Sequence, residues 1–300
     1  MTGNTYGATK NKLADFAQSL GGLSTNKRML LLCLPAIIFL LIFFIYPLIR
    51  LLYLSFFDPQ FTLEHYSRVF TEGVYLRVLV NTLNISAQIT FFCLLLAYPV
   101  SALITSVGSK IGNRLMILVL LPFWTSVLIR AYSWIVILQR RGIVNEFLMD
   151  LGLVEQPLSL MFNRFGLLVG TVHVLLPFMI FPLIANMSGI DKNLLKAAQN
   201  LGAHPVKSFL RIFLPLSFPG AAAGSLIVFV MCLGFFVTPA LMGGRGDIMI
   251  SVLIESQVRE FLNWGFGSAL SFVLLAITLL IYGVAAKWFG LSNIWGGKQI

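Results

Sequence analysis

Charge is scarce in this sequence. Only 11% of its 300 residues are Asp, Glu, Lys or Arg, against about 25% in a soluble domain. With 58% hydrophobic residues and a mean hydropathy of +0.90, a water-hydrated globular surface is excluded and the chain reads as an integral membrane protein. Acids are the scarcer sign, 11 against 21 Lys and Arg. The three cysteines, Cys33, Cys93 and Cys232, each fall inside an apolar run without metal-ligand spacing. They read as small buried hydrophobes, with no disulfide expected. His65, His173 and His204 lie in three different regions, which speaks against the clustered ionisable groups a membrane enzyme needs. No GxxxxGK[ST] phosphate-binding loop is present, so any ATP must be used by another chain. No cleavable signal peptide is read, because a polar tail precedes a first apolar run too long for one. The net charge of +10 points to membrane orientation rather than to nucleic acid.

What the chain does have is long uncharged runs: 29–49, 78–109, 115–139 (broken only by Arg130), 165–190, 212–244 and 262–286. Each meets the ~20 residues needed to cross the hydrocarbon core as a helix. The expectation is an all-α membrane protein with six spans and both termini on one side. Residues 1–28 and 289–300 are its tails, and 29–288 its transmembrane domain. The side holding both tails and the loops at 110–114 and 191–211 collects twelve Lys and Arg and only Asp15 and Asp191 as acids; the other side has eight basic residues and nine acids. Basic loops mark the cytoplasm, so both termini are expected there. In the N-terminal tail, Leu13, Phe16, Ala17 and Leu20 recur at helical spacing, which fits either a surface-lying amphipathic helix or a plain polar tail. Prolines at 35, 47, 99, 122, 177, 182, 219 and 239 imply a packed bundle, where neighbours satisfy the carbonyls they free.

One cytoplasmic stretch, "LLKAAQNLGAHPVKSFLRIFLPLSFPG" from Leu194, interrupts the oily runs. Asp191 is placed to cap a helix from Lys192. Leu194, Leu195, Ala198 and Leu201 share a face at helical spacing. Gly202 sits where a helix ends in a left-handed residue, and Pro205 opens a second helix with Val206, Phe209, Leu210 and Phe213 on its apolar face. The segment 191–213 therefore reads as helix, hinge, helix. It either docks into a partner's groove or lies on the membrane as an ordinary amphipathic loop.

Ala197-Ala198, three residues, Gly202, nine residues, then Ile212-Phe213-Leu214-Pro215 resembles the EAA loop of ABC importer permeases, with Lys196 where that family usually carries Glu. "FTLEHYSRVF", "LPFWTSVLIRAYSWIVIL", "LLPFMIFPLIANM" and "FVTPALMGGRGDIMI" extend the resemblance, from Leu31 onward, to permeases of the spermidine/putrescine type. The resemblance implies a type I ABC importer permease fold and a place in the bacterial inner membrane. It also implies a second permease subunit, often non-identical, and a periplasmic solute-binding protein. A cytoplasmic ATPase dimer would bind ATP and Mg and dock on Lys196, Ala197, Ala198, Gly202, His204 and Pro205, with Ile212, Leu214 and Pro215 ending the motif. The solute it favours is polyamine-like; opines, amino-acid-like compounds and phosphonates are the alternatives.

Candidate path residues carry two readings each. Arg130 lies roughly 22 Å along a straight third span, in its outer half, and is either functional or a structural arginine, snorkelling or bonding between helices. Trp124, Tyr132 and Trp134 form either a box for an organic cation or an interfacial belt. His173 lines the path or hydrogen-bonds a neighbouring helix. Gly243 and Gly244 suggest a flexible outer turn. No acid lies in any span, so a cationic solute needs carboxylates from other chains or from outer residues such as Asp58, Glu255 and Glu260. A self-sufficient secondary transporter would carry ion-coupling acids and internal repeats, and neither is seen.

Overall fold

The structure, a computed structural model, describes residues 25–57 and 60–288. The amphipathic pattern at 13–20, the 289–300 tail and Asp58 lie outside the described residues. Every regular element among those described is helical, and the chain divides into two units after Phe61.

The first unit contributes α1 (Leu32–Phe56). The sequence reading ends this span at residue 49, but the helix runs a further seven residues. Arg50 interrupts the apolar run without ending the helix; its Nη1 donates to Tyr46 Oη one turn back at 3.4 Å.

In the second unit the order is α2 (Glu64–Thr71), α3 (Gly73–Ser106), α4 (Ser109–Leu120), α5 (Val127–Leu138), α6 (Ile143–Asp150), α7 (Arg164–Ser188), α8 (Lys192–Asn200), α9 (Pro205–Leu233), α10 (Val237–Met242), α11 (Ile250–Arg259) and α12 (Trp264–Trp288). Helices α1, α3, α7, α9 and α12 are each long and apolar enough to cross a membrane, and the bent pair Ser109–Trp124 with Val127–Asp150, which takes in α4, α5 and α6, makes a sixth if it counts as one span.

The third span thus departs from a straight helix. A 3-10 turn at Leu121–Trp124 ends α4, Thr125 turns its Oγ1 back onto the Pro122 carbonyl at 2.7 Å, and the two helices meet at 94°. Pro122 fixes its own φ, and the extended Thr125 and Ser126 place the chain on a new axis. The 22 Å position of Arg130 along one straight rod therefore does not hold. The fifth span is also revised: α9 stops at Leu233, and α10 is a separate short helix.

The core is a three-helix contact of α3, α7 and α9, filled by Ile85, Ile89, Leu175, Met179, Leu183 and Val228. Lipid tails are as apolar as leucine, so membrane helices are held by close backbone approach rather than by hydrophobic exclusion. Gly220 and Gly224 on α9 provide it. A Cβ at 220 would lie 2.6 Å from Asn186 Cβ and 2.9 Å from the Pro182 carbonyl oxygen; one at 224 would lie 2.8 Å from Met179 Sδ. Cys93 and Cys232 are buried, and all three thiols are free. Tyr98 and Ser217 share a hydrogen bond of 2.6 Å between α3 and α9. A second cluster joins α2 and the start of α3 to α11 and α12 through Val69, Tyr75, Leu79, Ile250, Phe266 and Leu270.

Two π-turns share one cause. In Leu41–Ile45 the Tyr46 N–H donates five residues back to Leu41, and in Phe209–Phe213 the Leu214 N–H donates five back to Phe209. Prolines 47 and 215 follow directly. A proline ring crowds the carbonyl four residues earlier and offers no N–H; one wide turn before it relieves the clash and keeps the helix continuous.

Candidate functional site

At one end of the bundle, α8 is built as its sequence dictates. Asp191 Oδ1 accepts from Asn193 N at 2.9 Å. The last turn closes with Gly202 N donating to the Gln199 carbonyl at 2.9 Å and Ala203 N to the Ala198 carbonyl at 3.0 Å. Gly202 takes φ +85° with open space around the missing Cβ, so conformation rather than room is what requires glycine there. His204 then caps the next helix, its Nδ1 accepting from Val206 N at 3.4 Å, with Pro205 in its first turn. Lys192 Nζ donates to the Thr105 carbonyl at 2.8 Å, closing an open C-terminal carbonyl of α3 with a cation.

The apolar face of α8 splits in two. Leu195 and Ala198 are half-buried toward the chain, beside a cleft of about 670 Å³ lined by Tyr98, Gln199, Phe209 and Phe213. Leu194, Lys196, Ala197 and Leu201 are exposed, Leu201 at 90%. The segment also differs from helix, hinge, helix in its second half. The helix opened by Pro205 runs unbroken through Ile212, Leu214 and Pro215 to Leu233, so it is the start of the membrane span itself.

The path candidates are only partly brought together. Trp134 Nε1 donates to His173 Nδ1 at 3.1 Å, which is the neighbouring-helix reading of His173. Arg130, one turn before Trp134 on α5, is only 8% exposed. It does not snorkel: its Nε and Nη1 are buried without a partner. Tyr132, two residues from Trp134, faces away from it and is exposed, and Trp124 on the turn before the bend is 86% exposed. The three rings form no enclosure within this chain.

At the opposite end from α8, a polar cluster that sequence reasoning missed joins three elements. Arg164 at the start of α7 pairs with Asp247 (Nε to Oδ1, 2.6 Å) and donates Nη2 to Asn81 Oδ1 of α3, also at 2.6 Å. Asn81 Nδ2 donates to the carbonyls of Gly246 and Ile248, and Thr82 Oγ1 accepts from Ile250 N at 2.8 Å. The loop from Gly243 is therefore clamped, not flexible. A Cβ at Gly244 would meet the Phe162 carbonyl oxygen at 2.6 Å, and one at Gly243 the Pro239 carbonyl oxygen at 2.5 Å; both glycines serve close approach. Arg164→Ala is expected to cost about 1–3 kcal/mol of stability, read as a lower thermal unfolding midpoint. Asp247→Asn, which keeps an acceptor, should cost less. Of the outer acids, Glu255 is paired with Arg259 at 3.2 Å and Glu260 is exposed.

The long apolar helices define a multi-pass membrane protein. Residues 89–289 match the family of binding-protein-dependent transport system inner membrane components; the chain belongs to that family and is a multi-pass inner-membrane permease, not an enzyme. It is 38% identical over 236 residues to the spermidine/putrescine transport system permease protein PotB of Salmonella typhimurium (strain LT2), covering 78% of this chain and 82% of that one. PotB of Escherichia coli (strain K12) is 37% identical, covering 78% and 86%. Among solved structures, a chain of a bacterial ABC transporter involved in the import of the acidic polysaccharide alginate matches with a TM-score of 0.74 at 22% identity, over 87% of this chain and 94% of that one. That likeness shows a shared fold.

Proposed function

We propose that this chain is one half of the path of an ATP-driven importer for a small polar solute, polyamine-like in the first instance, delivered by a periplasmic binding protein. The observation that carries the mechanism is the exposed apolar face of α8 (Leu194, Ala197, Leu201), closed by Gly202 and joined by four residues to a membrane-crossing helix. Such a face fits the groove of a cytoplasmic partner. Because the chain has no phosphate-binding loop, that partner is an ATPase dimer, holding ATP and Mg. In this reading the α8 end is cytoplasmic, with both termini, and the Arg164 cluster faces outward. Lys196 stands exposed in the docking face and calls for an acidic or neutral counterpart on the ATPase. Trp124 and Tyr132 are the path-facing candidates; Trp134 and His173 are paired with each other within the chain, and Arg130 is nearly buried.

Identity to the two PotB proteins supports a polyamine. Apart from Glu146 and Asp150 at the end of the bent pair, no span carries an acid, so carboxylates for such a cation belong to the binding protein, the second permease or the outer loops. The test is to co-express the chain with its ATPase and second permease and compare wild type with Ala197→Glu plus Leu201→Asp. Release of the ATPase while the permeases stay paired is the expected result. Uptake of spermidine and putrescine against an opine, in vesicles with the matching binding protein, then decides the solute. A wild-type chain that captures no ATPase would sink the reading.

A further inference from the structure

Among the described residues, Arg130 is the only buried side chain that carries a full charge. Its Nε and Nη1 are sealed from solvent without a partner. Nη2 is not among the sealed atoms and also has no hydrogen bond. A buried guanidinium left uncompensated is strongly unfavourable, more so in a segment that crosses a membrane. Nothing among the described residues repairs it. No Asp or Glu lies in the uncharged runs of the sequence, and Glu146 and Asp150, at the far end of the bent pair, are exposed. His173 Nδ1 already accepts from Trp134, and no backbone carbonyl is within hydrogen-bonding reach of Nε or Nη1. One face of α5 is uncovered: Ile129, Tyr132 and Val136 stand at helical spacing and are all exposed, and Arg130 lies about 100° around the helix from Ile129, at the flank of that face.

Resting on the reading that a second permease lies alongside, we propose that Arg130 is completed by a carboxylate carried within a membrane span of a non-identical permease subunit. Charge complementarity sets the chemistry: Nη2, the guanidinium nitrogen that is not sealed, is left for a charged acceptor, and a carboxylate makes the strongest such hydrogen bond a side chain offers. A second copy of this chain does not serve, since it would bring another arginine and no acid from within its uncharged runs. The pairing is therefore a determinant of partner choice: a like-with-like dimer leaves two buried cations unpaired.

The test uses the full transporter in nanodiscs. Arg130→Met and the neutralisation of each intramembrane Asp or Glu of the second permease are made singly and together, and dissociation of the permease pair is measured. The expected result is that Arg130→Met and one partner neutralisation each weaken pairing roughly 100-fold. The double change should recover most of that loss, as a coupled cycle requires. The partner-side change leaves this chain untouched, so a folding defect in Arg130→Met does not decide the outcome. Pairing with no coupled partner acid overturns the inference alone. So does a loss that tracks the anionic lipid content of the nanodisc, which would assign Arg130 to a lipid phosphate. So does full self-association in the absence of the second permease. A wild-type chain that pairs with nothing overturns this inference together with the proposed function.

Discussion

Replacing Gly220 by valine is expected to deplete the folded protein, with the unfolding midpoint falling by several degrees and little recoverable in detergent. The new Cβ meets Asn186 Cβ at 2.6 Å and the Pro182 carbonyl oxygen at 2.9 Å. The second contact is backbone and cannot rotate away. Overpacking costs typically about 1–3 kcal/mol, and a branched residue against a fixed carbonyl belongs at the upper end. Because α9 meets α7 through this point, the loss should extend to the contact with α3. Gly283 is the control. It sits in α12, and a methyl group there would have nothing within 4 Å, so Gly283→Ala should be neutral or stabilising by up to ~1 kcal/mol. Thiol labelling during a thermal ramp gives the readout, since Cys93 and Cys232 are buried until the bundle opens.

The second large effect is functional. Gly202→Val is expected to lower transport at least tenfold while leaving the permease assembled. A β-branched residue at φ +85° is a genuine outlier, and the left-handed conformation costs roughly 1–2 kcal/mol for a residue with a Cβ. The α8 C-terminus would re-form elsewhere, turning Leu201 and Ala197 away from their present direction. Asn tolerates this conformation, so Gly202→Asn should retain most of the activity. Uptake and ATP hydrolysis are measured side by side for both variants. Equal transport by Val and Asn variants would mean that the left-handed turn has no part in coupling.

The features legible in the sequence are those written in short-range patterns. Asp191 as a cap, Gly202 as a left-handed stop, Pro205 as a helix opener and the apolar runs of α3, α7 and α12 all follow from neighbours a few residues apart. The bend after Pro122 escaped because hydropathy averages over it: Thr125 and Ser126 are too few to lower a window of twenty. Continuity from Pro205 to Leu233 escaped for the opposite reason. Lys207 and Arg211 look like a boundary, yet a charge does not stop a helix. Gly220 and Gly224 stand four apart, a spacing that marks close helix contact, and a reading by hydropathy alone passes over it. Arg164, Asp247 and Asn81 lie 83 residues or more from one another, and no periodicity connects them. Gly243 and Gly244 illustrate a limit of composition: glycine permits motion and permits contact, and only the neighbours at Phe162 and Pro239 decide between them.

The unbroken course of α9 has a mechanical meaning. Its 29 residues make a rod of about 43 Å, long enough to protrude from the hydrocarbon on the α8 side. The only slack between rod and handle is Leu201–His204. A tilt of about 5° pivoted at one end carries the other end through about 4 Å. A force applied at α8 would thus arrive at the far end of α9 as displacement of one continuous shaft, with the wide turn at Phe209–Phe213 and the proline at 219 as its points of give.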